Sequence, residues 1–190
     1  MCFVNKKTVA LTSEQYKEII DDIKKGHSGL RPNIRVATAL VLEANLGIRI
    51  GDILELKLNS FIRDGDRYRL DIVEQKTGKK RTFTVPFVIF QYIENYCLKN
   101  QIRRNEKIFP ISVRTVQSIL QMSCDWLGYE NISTHSFRKY FATEIYKNNG
   151  YDIVLVQHLL QHSSAAITQK YIGIDTKQVE DALQGHVQLL

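Results

Sequence analysis

The chain reads as an α+β protein, mainly α-helical, with one small three-stranded antiparallel sheet. Two patterns predict this. Through most of the chain apolar residues recur three and four apart, the period of a helix that buries one face. Only residues 60–88 alternate instead, as Arg69-Leu70-Asp71-Ile72-Val73 and Arg81-Thr82-Phe83-Thr84-Val85, the period of a half-buried strand. Asp64-Gly65 and Thr77-Gly78 supply the turn signals that fold this stretch back on itself.

A first helix is expected over residues 12–25, where Tyr16, Ile19, Ile20 and Ile23 form a stripe, Thr12 or Ser13 caps the start and Gly26 ends it. Pro32 opens a second helix over 33–46. It is strongly apolar, reads as buried and stops near Gly47. Arg49 follows, flanked by Ile48 and Ile50. A guanidinium among apolar neighbours needs an anionic partner, and an ion pair with Asp52 or Glu55 is the plainest one. The sheet then carries Lys76 at a hairpin end, where a solvated loop lysine is the default. Pro86 ends the sheet. Helices are expected over 88–100 and over 113–127, the latter capped by Ser112 and closed by Gly128. The final third is helical: 136–148, 152–160, a short helix holding 168–171, and an amphipathic tail.

The chain has 190 residues, the size of one domain. It contains no apolar run of about 18 residues, so no membrane span is expected. The opening MCFVNKKTVALTSEQ has no long apolar stretch and no secretory-leader pattern. Three cysteines without C-x-x-C spacing read as incidental thiols, which fits a cytoplasmic protein. The net charge of +6 favours a polyanionic partner, nucleic acid first. That charge is clustered at 76–81 and 99–107, and the first cluster marks Lys79, Lys80 and Arg81 as DNA-binding.

The stretch THSFRKYFATEIYKNNGYDIVLVQHLLQHSSAAITQKYIG contains His135-x-x-Arg138, then His162, then Tyr171 nine residues later. Cations, histidines and a tyrosine in this order suit one chemistry, a tyrosine attacking a phosphodiester. A tyrosine hydroxyl titrates near pH 10, so only about one in a thousand is ionised at neutrality. Its target is itself anionic. Arginines answer both problems, because their forked donors match phosphate oxygens and stay charged. Histidine moves a proton near neutrality. His158 and His162 stand four apart, but no carboxylate or cysteine lies at metal-ligand spacing, and neither a metal nor another cofactor is expected.

Four strings, NLGIRIGDILELKL, EQKTGKKRTFTVP, THSFRKYFATEIY and LLQHSSAAITQKYIG, resemble the catalytic domain of tyrosine recombinases, the phage-integrase family. Asp52 stands where that family usually has glutamate, and Gln161 where it usually has glycine. The resemblance implies the following roles. Arg49, Arg138 and His162 hold the phosphate, His135 is the acid/base partner of the nucleophile Tyr171, and Lys76 protonates the leaving 5′-oxygen. Asp52 orients an active-site cation from behind, or is simply a first-turn carboxylate. The implied product is a 3′-phosphotyrosyl bond, rejoined later to another 5′-hydroxyl. The implied partners are double-stranded DNA and further copies of the chain, a monomer when free and a tetramer on DNA, with no membrane. On this reading residues 1–190 form the catalytic domain, with 1–11 as an extension and 174–190 as a tail that docks on a neighbouring subunit. No N-terminal core-binding domain is expected within the chain. Two alternatives stay open, a type IB topoisomerase-like nicking-closing enzyme and a non-catalytic DNA-binding regulator on the same fold.

Overall fold

The computed structural model describes residues 8–75, 78 and 80–172. The first helix, α1, is Ser13–Lys25. Thr12 caps it through a reciprocal box with Gln15, the Thr12 Oγ1 accepting the Gln15 N–H and the Gln15 Oε1 accepting the Thr12 N–H. Its predicted stripe is the buried one, with Ile19, Ile20 and Ile23 in the core. The second, α2, is Ile34–Leu46. Asn33 rather than Pro32 begins it, because the Asn33 side chain accepts the Val36 N–H while proline has no such oxygen to offer. Nine of its thirteen residues are buried, so it is the central element of the first part of the chain.

α2 ends at Gly47 in the left-handed conformation, with φ of +59°. Two short elements that periodicity could not reveal follow, the five-residue helix α3 at Ile50–Leu54 and a 3₁₀ turn at Leu58–Ser60. The sheet comprises β1, Phe61–Asp64, β2, Arg67–Val73, and β3, Lys80–Val85, antiparallel in the order β1-β2-β3. Register pairs Asp64 with Arg67 and Val73 with Lys80, so residues 74–79 form the second connection. One face carries Phe61, Leu70 and Val85 into the core. Tyr68 stacks there on Phe90 with ring centres 3.6 Å apart.

The remaining helices are α4, Phe87–Lys99; α5, Val113–Leu127; α6, Thr134–Asn148; α7, Ile153–Leu160; and α8, Ala165–Ile172. Ser112 caps α5 as expected, accepting the Thr115 N–H. Asp152 caps α7 by accepting from Val154 and Leu155. α8 is longer than the segment the sequence suggested. The tail at 174–190, with its expected docking role, lies outside the described residues. The chain forms two compact units, Met1–Phe141 and Ala142–Leu190, and the division falls within α6. No described helix is long and apolar enough to cross a membrane.

Gly47, two residues before Arg49, tolerates no side chain. A β-carbon there would land on the Phe141 ring, and the backbone is left-handed as well. Gly47→Ala should therefore lose about 2–4 kcal/mol from strain plus overpacking. Thermal denaturation would read this as a clear fall in Tm, and an unchanged Tm would contradict the close approach.

Candidate functional site

Arg49 occupies the N-cap position of α3, in extended backbone immediately after the α2 turn. Its side chain is 23% exposed and its Nη1 donates to Glu74 Oε2 at 2.6 Å. Glu74 is itself buried, and its other oxygen faces Arg81 Nη1 at 3.5 Å. Strand alternation places both partners. Glu74 continues the inward parity of Leu70 and Ile72, and Arg81 shares parity with Phe83 and Val85. The Arg81 guanidinium also lies over the Phe83 ring, 4.9 Å from its centre. Burial, with the charge of Arg138 next, pushes the Arg81 group down to about 10.

Arg138, 2% exposed on α6, reaches back to donate to the Gly47 carbonyl at 2.6 Å. Glu43, completely buried at the end of α2, accepts the Ile50 N–H on Oε1 at 3.1 Å. Its Oε2 makes no hydrogen bond among the described residues. Burial raises the Glu43 carboxyl well above its ordinary value, against the opposing effects of the Ile50 amide and Arg138. Asp52, in the first turn of α3, accepts the Gln75 N–H on Oδ1 at 2.9 Å, which anchors the root of the β2–β3 connection.

Arg49, Asp52, Gln75, Gln117, Thr134 and His135 line one cleft of about 180 Å³. His135 is exposed at the start of α6, while Arg138 lies buried one turn further on. A phosphate-sized anion in this cleft would meet the Arg49 guanidinium and the His135 ring. Three buried or half-buried guanidiniums, those of Arg49, Arg81 and Arg138, stand against the carboxylates of Asp52 and Glu74. The guanidiniums make the cleft a cationic setting, opposite in sign to a phosphodiester.

The second unit holds a separate pair. His162 and Tyr171 meet edge to face with ring centres 5.1 Å apart. Thr168, fully buried on α8, bonds His162 Nδ1 at 3.0 Å and fixes the ring plane. Gln157 Nε2 donates to the His162 carbonyl at 3.2 Å. Gln161, immediately before, is left-handed with φ of +53°. That is why glycine would suit the position, and glutamine costs about 1 kcal/mol there. His158 is exposed on α7.

The structure thus brings Arg49, Asp52, His135 and Arg138 together in the first unit, and His162 with Tyr171 in the second. Two expectations change. Arg81 is 4% exposed and paired with Glu74, an inner cation where a surface contact for DNA was expected. Arg49 pairs with Glu74 rather than Asp52 or Glu55, because Asp52 is turned to the Gln75 amide and Glu55 binds Lys107 at 2.6 Å. Lys80 is exposed on β3. Lys76 and Lys79 lie outside the described residues. Sequence reasoning missed Glu43 and Glu74, although each stands at a position whose helical or strand parity is otherwise apolar.

The family model for the phage integrase family matches residues 9–178, and the chain belongs to that family. A probable integrase/recombinase, YoeC of Bacillus subtilis, is 34% identical over 153 residues, covering 77% of this chain and 81% of that protein. The tyrosine recombinase XerA of Pyrococcus furiosus is 27% identical over 186 residues, covering 92% of this chain but 60% of that protein. Among solved structures, a XerH site-specific recombinase bound to its difH substrate superposes with a TM-score of 0.70 at 20% identity, over 94% of this chain and 53% of that one. A lambda integrase tetramer bound to a Holliday junction gives 0.69 at 21% identity, over 89% and 50%. The chain therefore spans between half and two thirds of several proteins that it matches, and its fold is that of their catalytic part.

Two outcomes follow from the buried charges. Glu74→Ala takes this carboxylate from the buried Arg81 guanidinium and the half-buried Arg49 one, and should destabilise the protein by about 3–5 kcal/mol, measured by urea denaturation. Glu43 is neutral when folded at pH values where the unfolded chain, with its ordinary value near 4.5, is ionised. Its contribution to stability is fully present below that value and is lost as pH rises toward and through the folded one. Glu43→Gln should accordingly match the wild type in acid and gain Tm over it progressively toward neutrality. A constant difference would contradict the neutral acid.

Proposed function

We propose that this chain is the strand-cleaving and strand-joining part of a site-specific DNA recombinase. The observation that carries the reading is the Arg49–His135 cleft backed by Arg138, in a chain of this family that also sets Tyr171 against His162. In the proposed step the Tyr171 oxygen attacks the scissile phosphorus. The P–O5′ bond breaks, a 3′-phosphotyrosyl bond forms, and the 5′-oxygen leaves as a hydroxyl. Arg49, Arg138 and His162 hold the non-bridging oxygens, and preorganised charge of this kind supplies most of the stabilisation in phosphoryl transfer. His135 takes the tyrosine proton and Lys76 protonates the leaving oxygen. The bond energy is kept in the covalent intermediate, so another 5′-hydroxyl can reverse the step without ATP.

The reading extends to partners. The XerH structure holds a DNA substrate and the lambda structure is a tetramer on a junction, which supports double-stranded DNA as substrate and assembly of several copies upon it. A monomer is expected when DNA is absent. Lys79 and Lys80 would meet flanking phosphates, residues 174–190 would dock on a neighbouring copy, and the protein would act in the cytoplasm. Incubation with a pool of supercoiled and nicked duplexes, followed by denaturation in SDS, should trap protein covalently on DNA. Tyr171→Phe should abolish the adduct while binding persists. An adduct that survives in Tyr171→Phe would assign the nucleophile elsewhere, and none with either protein would leave a DNA binder without this chemistry.

A further inference from the structure

The five-residue helix α3 begins at Ile50, so the Ile50 N–H has no acceptor within the helix. The N-cap residue is Arg49, and its side chain makes no capping bond, because a guanidinium has only donors and no acceptor to offer a backbone amide. The acceptor comes instead from seven residues upstream, where Glu43 Oε1 lies 3.1 Å from the Ile50 nitrogen. At the other end of the same turn, Arg138 Nη1 holds the Gly47 carbonyl at 2.6 Å. Arg49 projects from backbone gripped at both ends by side chains of α2 and α6.

We propose that Glu43 is a positioning residue for Arg49, holding the Ile50 amide and thereby fixing the backbone from which the phosphate-binding guanidinium projects. This rests on the recombinase reading of the cleft, but only for what Arg49 is positioned to meet. The position itself argues for the role. Glu43 is completely buried between Leu42 and Ala44 on a strongly apolar helix, nine of whose thirteen residues are buried, where a leucine would serve packing alone. Its second oxygen has no hydrogen-bond partner among the described residues. A carboxylate in that setting would bury a charge with half its acceptors unmet. The neutral acid fits the single bond seen, its carbonyl oxygen accepting from the amide.

The test uses the full-length chain, ¹⁵N-labelled, and reads the arginine Nε–Hε signals by NMR with inorganic phosphate as the probe. Arg49→Lys identifies the Arg49 signal by its loss. Glu43→Gln keeps a neutral acceptor of the same shape and should leave the Arg49 signal in place, with phosphate affinity within about twofold of wild type. Glu43→Leu removes the acceptor and should shift and broaden that signal while weakening phosphate binding about tenfold, the scale of one lost buried hydrogen bond. Leu42→Ala, a cavity on the same helix, should lower Tm and leave both readouts unchanged. A wild-type Arg49 signal and affinity in Glu43→Leu would overturn the proposal. So would loss of both in a folded Glu43→Gln, which would show that the charge and not the acceptor is needed. If the wild type shows no phosphate response, the recombinase reading fails, and the Arg49 signal in the Glu43 variants still decides the positioning role.

Discussion

A guanidinium held out of water must meet an anion before any ligand arrives, and in this protein Glu74 is that anion. It sits between Arg49 and Arg81 with almost no exposure of its own. One carboxylate therefore joins the turn after α2 to the sheet. The arrangement is expensive in desolvation, and a well-packed apolar substitute would stabilise the fold as well or better. Its value lies in geometry: the cation lining the cleft is oriented before any ligand arrives, and on the recombinase reading no reorganisation would be needed when charge develops on a phosphate.

The second unit solves a smaller problem locally. α7 ends one residue before the left-handed Gln161, and α8 brings both Thr168 and Tyr171 to the His162 ring. The spacing of nine residues between His162 and Tyr171 is thus a geometric requirement. It is the length of a tight corner plus two helical turns.

Much of this was legible in the sequence. Helix spans came from 3.6-residue periodicity and caps, and the sheet from a single alternating region. The polar constellation appeared in a fixed order that chance rarely produces. What was illegible depended on partners distant in sequence. Arg49 was visibly in need of an anion, but the nearest acids, Asp52 and Glu55, were the obvious candidates, whereas strand register brought Glu74 from 25 residues away. Arg81 looked like part of a surface cluster because its neighbours are lysines. Only the alternation with Phe83 and Val85 marked it as inward. Nothing in the sequence set Glu43 apart within its apolar helix, and the bond it makes is seen only once α3 is found to begin without a side-chain cap of its own. α3 has five residues, too few to show a period.

Burial of the arginine cluster divides the basic residues of this chain by their response to ionic strength. Charges on the surface, such as that of Lys80, act through solvent, and at physiological salt their fields fade within about 8 Å. The guanidiniums of Arg81 and Arg138 are shielded by protein instead of by counterions. On the recombinase reading, rising salt would weaken the flanking contacts of surface lysines with DNA more than the hold of buried guanidiniums on a single phosphate. On that reading, how fast a duplex is captured and how tightly its one reacting phosphate is held would be separate properties, carried by different residues and open to separate adjustment.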